Sequence, residues 1–161
     1  MSKPKNPPQG YTTITPWIIG QDTAGLMDWL KRAFDAVEVS RLVGPDGRIG
    51  HAEMRIGDAM VMMFDARPHW PSTPAFLRLY VDDADKIFEQ AVAAGGTPVT
   101  NVTHLAFGDR VGRVRDPFSN LYWLQTRVEE VSEEEMNRRW TDPKWAEAMA
   151  YVTSAELVLP R

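Results

Sequence analysis

The feature that most narrows the choice of fold is a repeat at one fixed spacing. Sliding the chain by 61 residues places Asp22 on Asp83, Leu26 on Ile87, Ala33 on Ala94, Met60 on Leu121 and Met62 on Trp123. The same shift puts Thr15 on Phe76. One offset therefore aligns a strand, a helix start and a final strand, an agreement that two unrelated α/β segments have little reason to share. The clearest part of either copy is the stretch 108–125, GDRVGRVRDPFSNLYWLQ. Strands over 110–115 and 121–125 flank Asp116-Pro117-Phe118-Ser119-Asn120, where Pro fixes φ and Asp, Ser and Asn bond their own backbone. The spacing predicts a hairpin with Leu121, Trp123 and Gln125 on one face and Tyr122 and Leu124 on the other.

Each copy reads as βαβββ. In the first, a strand over 12–19 leads to a helix capped by Asp22 or Thr23, with Leu26, Leu30, Ala33 and Phe34 on its apolar face. Strands over 38–43, 49–56 and 59–64 follow, joined by the turns Gly44-Pro45-Asp46-Gly47 and Gly57-Asp58. In the second, a strand over 75–81 precedes a helix capped by Asp82-Asp83 and stopped by Gly95-Gly96, then a short strand over 97–99 and the hairpin. The expected organisation is a loose arm over 1–10, a domain over 11–131 and a helical extension over 132–161. Within the domain, module one covers 11–64, a proline-punctuated linker 65–73 and module two 74–126. The extension opens on the capping box Ser132-Glu133-Glu134-Glu135, and Asp142-Pro143 starts a second helix through about 151. Its apolar residues, Trp140, Trp145, Met149 and Tyr151, should cover either a partner or a cavity.

Composition excludes several classes. A net charge of −4 argues against a nucleic-acid partner, and with no cysteine there is no disulfide or thiolate metal site. No apolar run approaches the roughly 20 residues needed to span a bilayer. The start, MSKPKNPPQGY, has charge but no apolar h-region after it, so the expectation is a cytoplasmic protein without a membrane partner.

The paired βαβββ modules, the aspartate after each first strand, the Gly57-Asp58 turn and above all GDRVGRVRDPFSNLYWLQ followed by VEEVSEEEMNRRW resemble the vicinal oxygen chelate superfamily. The likeness is to its glyoxalase, bleomycin-resistance and PhnB-like members and spans roughly 11–140. It implies an α+β fold in which two βαβββ modules form a cupped, glyoxalase-like mixed sheet with outer helices, and it implies a homodimer. Metal-dependent members place four ligands on the first and last strands of the two modules. Carried onto this chain, those positions fall on Thr15, Met62, Phe76 and Trp123, related in pairs by the same offset. Three of them have no oxygen or imidazole to give and a lone threonine is a poor ligand, so neither a metal nor any other cofactor is expected.

Strand alternation then predicts the cavity lining. Module one would contribute Trp17, His51, Glu53, Met62 and Phe64 as ligand-binding residues, and module two Phe76, Arg78, Arg113 and Trp123. Residues of opposite parity, such as Ile14, Ile18, Ala52, Met54, Met63, Val114 and Leu124, are apolar, as a helix-covered side should be. Aromatic and methionine walls with a few placed charges suit a small-molecule pocket. The competing account has the aromatics filling the cup and the charges pairing with one another, Glu53 with an arginine. His51 and Glu53, two apart on one strand, could form an acid–base pair. His69 and His104 have no spaced partner, and no phosphate loop, dinucleotide fingerprint or nucleophile elbow is present. Two functions stay open: a protein that binds a small hydrophobic or planar ligand in a metal-free aromatic cavity, and a metal-independent PhnB-like enzyme using His51, Glu53 and the cavity arginines.

Overall fold

The computed structural model describes residues 4–71 and 73–157, and the chain divides after Ala75 into two units. In the first, β1 (Trp17–Gly20), α1 (Thr23–Phe34), β2 (Val37–Val43), β3 (Ile49–Ile56) and β4 (Ala59–Asp65) follow in sequence. The sheet order is β1-β4-β3-β2, with β1 parallel to β4 and the remaining neighbours antiparallel. Helix α1 starts where it does because the Asp22 carboxylate accepts the N–H of Gly25, one of the donors a helix start leaves unpaired. Its buried Leu26, Met27, Trp29 and Leu30 form a core with Ala52, Met54, Val61 and Met63 of β3 and β4.

The first strand is shorter than its β-branched sequence predicts. Pro16 accepts a hydrogen bond from the N–H of Met62 but has none to donate, and the ladder begins at Trp17. Ile14, expected in the core, is 81% exposed as a result.

The second unit repeats the plan with β5 (Phe76–Tyr80), α2 (Ala84–Ala93), β6 (Thr97–His104), β7 (Asp109–Arg115) and β8 (Leu121–Arg127), in the order β5-β8-β7-β6. Asp83 caps α2 by accepting the N–H of Lys86, and Gly95, at φ +103°, lets the chain turn away behind it. Strand β6 runs to His104 instead of ending at Val99; its polar Thr100, Asn101 and Thr103 hide a strand that β7 nevertheless pairs. The repeat keeps its spacing in the parallel pairs, where Trp17 stands beside Met62 as Arg78 stands beside Trp123, both related by the offset of 61, and slips by one residue in the neighbouring strand, where Glu53 beside Met62 corresponds to Arg113 beside Trp123.

The hairpin turn is held by one carboxylate. Asp116, 4% exposed, accepts from the N–H groups of Phe118 and Asn120, from Asn120 Nδ2 and from the Tyr122 hydroxyl, all within 2.7–2.9 Å. Burial raises this carboxyl above the ordinary aspartate value, and the donors offset part of that cost. Beyond the turn, β7 separates two environments. Arg110, Gly112 and Val114 face α2, where Arg110 donates to both carboxylate oxygens of Asp85 and a Cβ on Gly112 would come within 2.7 Å of Val102 Cγ2. Val111, Arg113 and Arg115 face the C-terminal extension, α3 (Glu133–Arg139) and α4 (Pro143–Thr153).

That extension covers the face of the second sheet opposite α2. Val152 of α4 packs with Leu105 and Val111, while Met149, Ala148, Phe107 and Trp123 surround them. The seal is polar as well. Arg113 donates to the Val152 carbonyl, Arg115 to the Leu157 carbonyl at 3.0 Å, and the N–H of Asn101 to the Tyr151 hydroxyl at 2.8 Å. Ser132 and Asp142 cap the two helices as their sequences predict.

Candidate functional site

Two side-chain rows cross the face of the second sheet that the extension covers. Register sets Arg78 of β5, Trp123 of β8, Arg113 of β7 and Thr100 of β6 side by side, with Tyr80, Gln125 and Val111 forming the next row. Over them lies a pocket of about 490 Å³ whose further walls are Met149, Val152, Thr153 and Leu157 of the C-terminal extension. Trp123 is its aromatic floor. Phe76 meets that indole edge-on at 6.1 Å between centroids, and the Arg113 guanidinium lies over it at 5.6 Å.

The charges around this floor are unequal. Arg113 is only 5% exposed; its Nε donates to Thr100 Oγ1 at 3.1 Å and a terminal nitrogen to the Val152 carbonyl. Burial lowers its pKa from the usual arginine value, and among the described residues no carboxylate is paired with it. Asp109, fully buried, is the one acid lining the pocket, and it is engaged by Arg127 Nε at 2.6 Å and by the Gln125 amide.

The first unit presents a different cluster on the matching row of its sheet, Trp17, Met62, Glu53 and Ser40. Trp17, 45% exposed, meets His51 at 5.7 Å and Phe64 at 5.4 Å, and Phe64 meets Trp70 at 6.1 Å. Glu53 lies 3.0 Å from His51 Nε2. The Tyr11 hydroxyl, followed by His51, holds the Glu53 carboxyl below its ordinary value, and Glu53 in turn raises the Tyr11 phenol. A depressed carboxyl of this kind adds stability that is present above the ordinary glutamate value and is lost as pH falls through the lowered one. The partner of Glu53 is thus a tyrosine and a histidine, in place of the arginine that charge pairing suggested.

The nine residues expected to line a cavity fall into these two groups: Trp17, His51, Glu53, Met62 and Phe64 on the first sheet, Phe76, Arg78, Arg113 and Trp123 on the second. Sequence alternation missed Tyr11, which precedes any strand, Asp109 and Arg127, which lie beyond the expected strand ends, and the α4 wall. His104 stays outside both groups, edge-on to Trp145 at 5.1 Å and 3.0 Å from Glu129.

The donor set does not fit a divalent ion. Trp17 and Arg78, two residues on from Thr15 and Phe76, are what stand in register with Met62 and Trp123. Neither choice of pair supplies a carboxylate or an imidazole at the positions where metal-dependent relatives carry ligands. Among the described residues no group of three or more His, Cys, Asp or Glu side chains is placed to hold a metal.

Known proteins share this architecture. An uncharacterized protein of Mycobacterium bovis is 37% identical over 134 residues, which cover 76% of this chain and 88% of that protein. The crystal structure of TioX from Micromonospora sp. ML1 superposes with a TM-score of 0.62 at 25% identity, covering 73% of this chain and 99% of TioX. A PhnB protein from Bacillus cereus has the same fold, with a TM-score of 0.56 at 16% identity over 71% of this chain and 99% of its own. The Glyoxalase/Bleomycin resistance protein/Dioxygenase family model matches residues 11–124, a span that takes in the first βαβββ unit and the second as far as the middle of β8; the chain belongs to that superfamily.

Proposed function

We propose that this protein binds a small hydrophobic or planar molecule without a metal, and that the pocket over Trp123 is where the molecule sits. The observation that carries the reading is the floor itself: the Trp123 indole borders a pocket of about 490 Å³, a size suited to a small organic ligand, at a position where the resemblance would put a metal ligand. Stacking on Trp123, whose indole Phe76 supports edge-on, would supply most of the affinity. We also propose a homodimer. Strand β2 is an edge of its sheet and exposes Val37, Val39, Leu42 and Val43, an apolar edge of the kind that a second chain pairs with or covers.

Native mass spectrometry of protein purified without chelator or metal-affinity tag tests these points together. The expected spectrum is a dimer carrying a substoichiometric or full complement of a small organic adduct and less than about a tenth of an equivalent of zinc, nickel, iron or manganese. A full equivalent of metal surviving dialysis would sink the metal-free reading, and a monomer at micromolar concentration would remove the dimer.

The contact between His51 and Glu53 favours a second reading, a metal-independent enzyme. A carboxylate 3.0 Å from Nε2 would fix the imidazole tautomer and leave Nδ1 as the base. Its mark would be a mass change in the adduct during incubation that His51→Ala abolishes; an adduct of constant mass leaves binding alone.

A further inference from the structure

We infer that the second-unit pocket is selective for planar anions, specifically aromatic carboxylates, with Arg113 and Arg78 receiving the carboxylate while Trp123 takes the ring. The inference rests on the binding function proposed above and adds the chemical class of the ligand. Three guanidiniums, from Arg78, Arg113 and Arg127, line a pocket that holds one carboxylate, Asp109. Arg127 and Gln125 already occupy that acid, so Arg78 and Arg113 are left without an anionic partner among the described residues. The local excess of positive charge stands out in a chain whose net charge is −4.

Geometry makes the arrangement specific. Arg78 and Arg113 flank Trp123 in register, one on each neighbouring strand, so a ring stacked on the indole has a guanidinium at either side. Arg113 is fixed by Thr100, by the Val152 carbonyl and by the indole face, and little further ordering is needed when it meets a ligand. A guanidinium this deeply buried and lacking a carboxylate is costly in the free protein, and an incoming anion relieves that cost. Arginine matches a carboxylate through two parallel N–H donors, a geometry that a neutral hydroxyl cannot use. Arg78 is exposed on the edge strand β5 and can swing to complete the clamp.

The probes are 2-naphthoate and its neutral counterpart 2-naphthylmethanol, titrated calorimetrically into the full chain. The wild type is expected to bind the carboxylate at least about tenfold more tightly than the alcohol. In Arg113→Met, and in Arg78→Gln as the variant on an exposed edge that should fold undisturbed, the ratio of the two affinities is expected to shrink to within about threefold, whatever each change does to alcohol binding; Arg113→Lys should keep part of it. Equal affinities of the wild type for the two probes would overturn the anion selectivity and leave the pocket as a binding site. No binding of either probe would overturn both readings. Preference retained in both arginine variants would overturn the assignment of the carboxylate to these residues.

Discussion

Trp123→Ala is expected to abolish most planar-ligand affinity, weakening binding by at least about tenfold, while lowering stability by only about 1–2 kcal/mol. The two effects separate because Trp123 is only partly buried. It packs beside Leu105, Val111 and Val152 and against Phe76, yet part of its surface borders the pocket. A fully enclosed tryptophan reduced to alanine would cost about 3–5 kcal/mol; an indole with one side already open forfeits fewer contacts. Urea unfolding of both forms gives the stability change, and titration with a planar aromatic gives the affinity. A large stability loss with unchanged binding would mean that the indole fills a core and does not line a site.

Ending the chain after Val131 is expected to have the largest effect on stability. The truncation removes α3 and α4, and with them Trp145 and Val152, both buried, and the carbonyls that anchor Arg113 and Arg115. It also removes Arg139, which bonds Glu129 at 2.6 and 2.9 Å and the Ala106 carbonyl at 3.1 Å. Burying a large apolar side chain contributes about 1.5–3 kcal/mol, so losing Trp145 and Val152 should cost roughly 3–6 kcal/mol. For a chain of this length that lowers Tm by about 10 °C or more. Ligand binding should fall as well, since Met149, Val152, Thr153 and Leu157 wall the pocket. Val152→Ala serves as the milder form, with a loss of about 1–2 kcal/mol in the same calorimetric scan. A truncated protein of unchanged Tm and affinity would show the extension to be dispensable.

The legible parts of the sequence were those where a local rule has a single outcome. Strand β3 was bounded at Ile49 and Ile56 because turns close it on both sides, and the hairpin because Asp116 and Asn120 carry their own hydrogen-bonding instructions. The 61-residue offset locates Met62 and Trp123 without any knowledge of packing, and the pairing of β1 with β4 and of β5 with β8 keeps it. What failed was set by partners elsewhere in the chain. Ile14 reads as a core residue until Pro16 interrupts the ladder. Strand β6 continues through Thr100 and Thr103 because β7 offers it an edge and Arg113 gives the Thr100 hydroxyl a partner. Strand alternation could place Arg113 and Trp123 on one face, yet the helix that roofs them comes from a segment outside the repeat. Alternation on β3 pairs Glu53 with His51, as the structure does, but cannot supply Tyr11, which reaches Glu53 from the chain ahead of the first strand.

The assignment of the ligand site to the second unit is tested most directly by nitrogen-15 spectra of the tryptophan indoles during titration with 2-naphthoate. The chain has 6 tryptophans, and they report from different places: Trp17 and Trp70 on the first sheet's aromatic cluster, Trp29 in the core, Trp123 at the pocket floor, Trp140 and Trp145 in the extension. The predicted result is a saturable shift of the Trp123 resonance, absent in Trp123→Ala, with Trp17 and Trp70 unmoved. Saturable shifts at Trp17 or Trp70 with Trp123 still would place the ligand on the first unit and contradict the assignment.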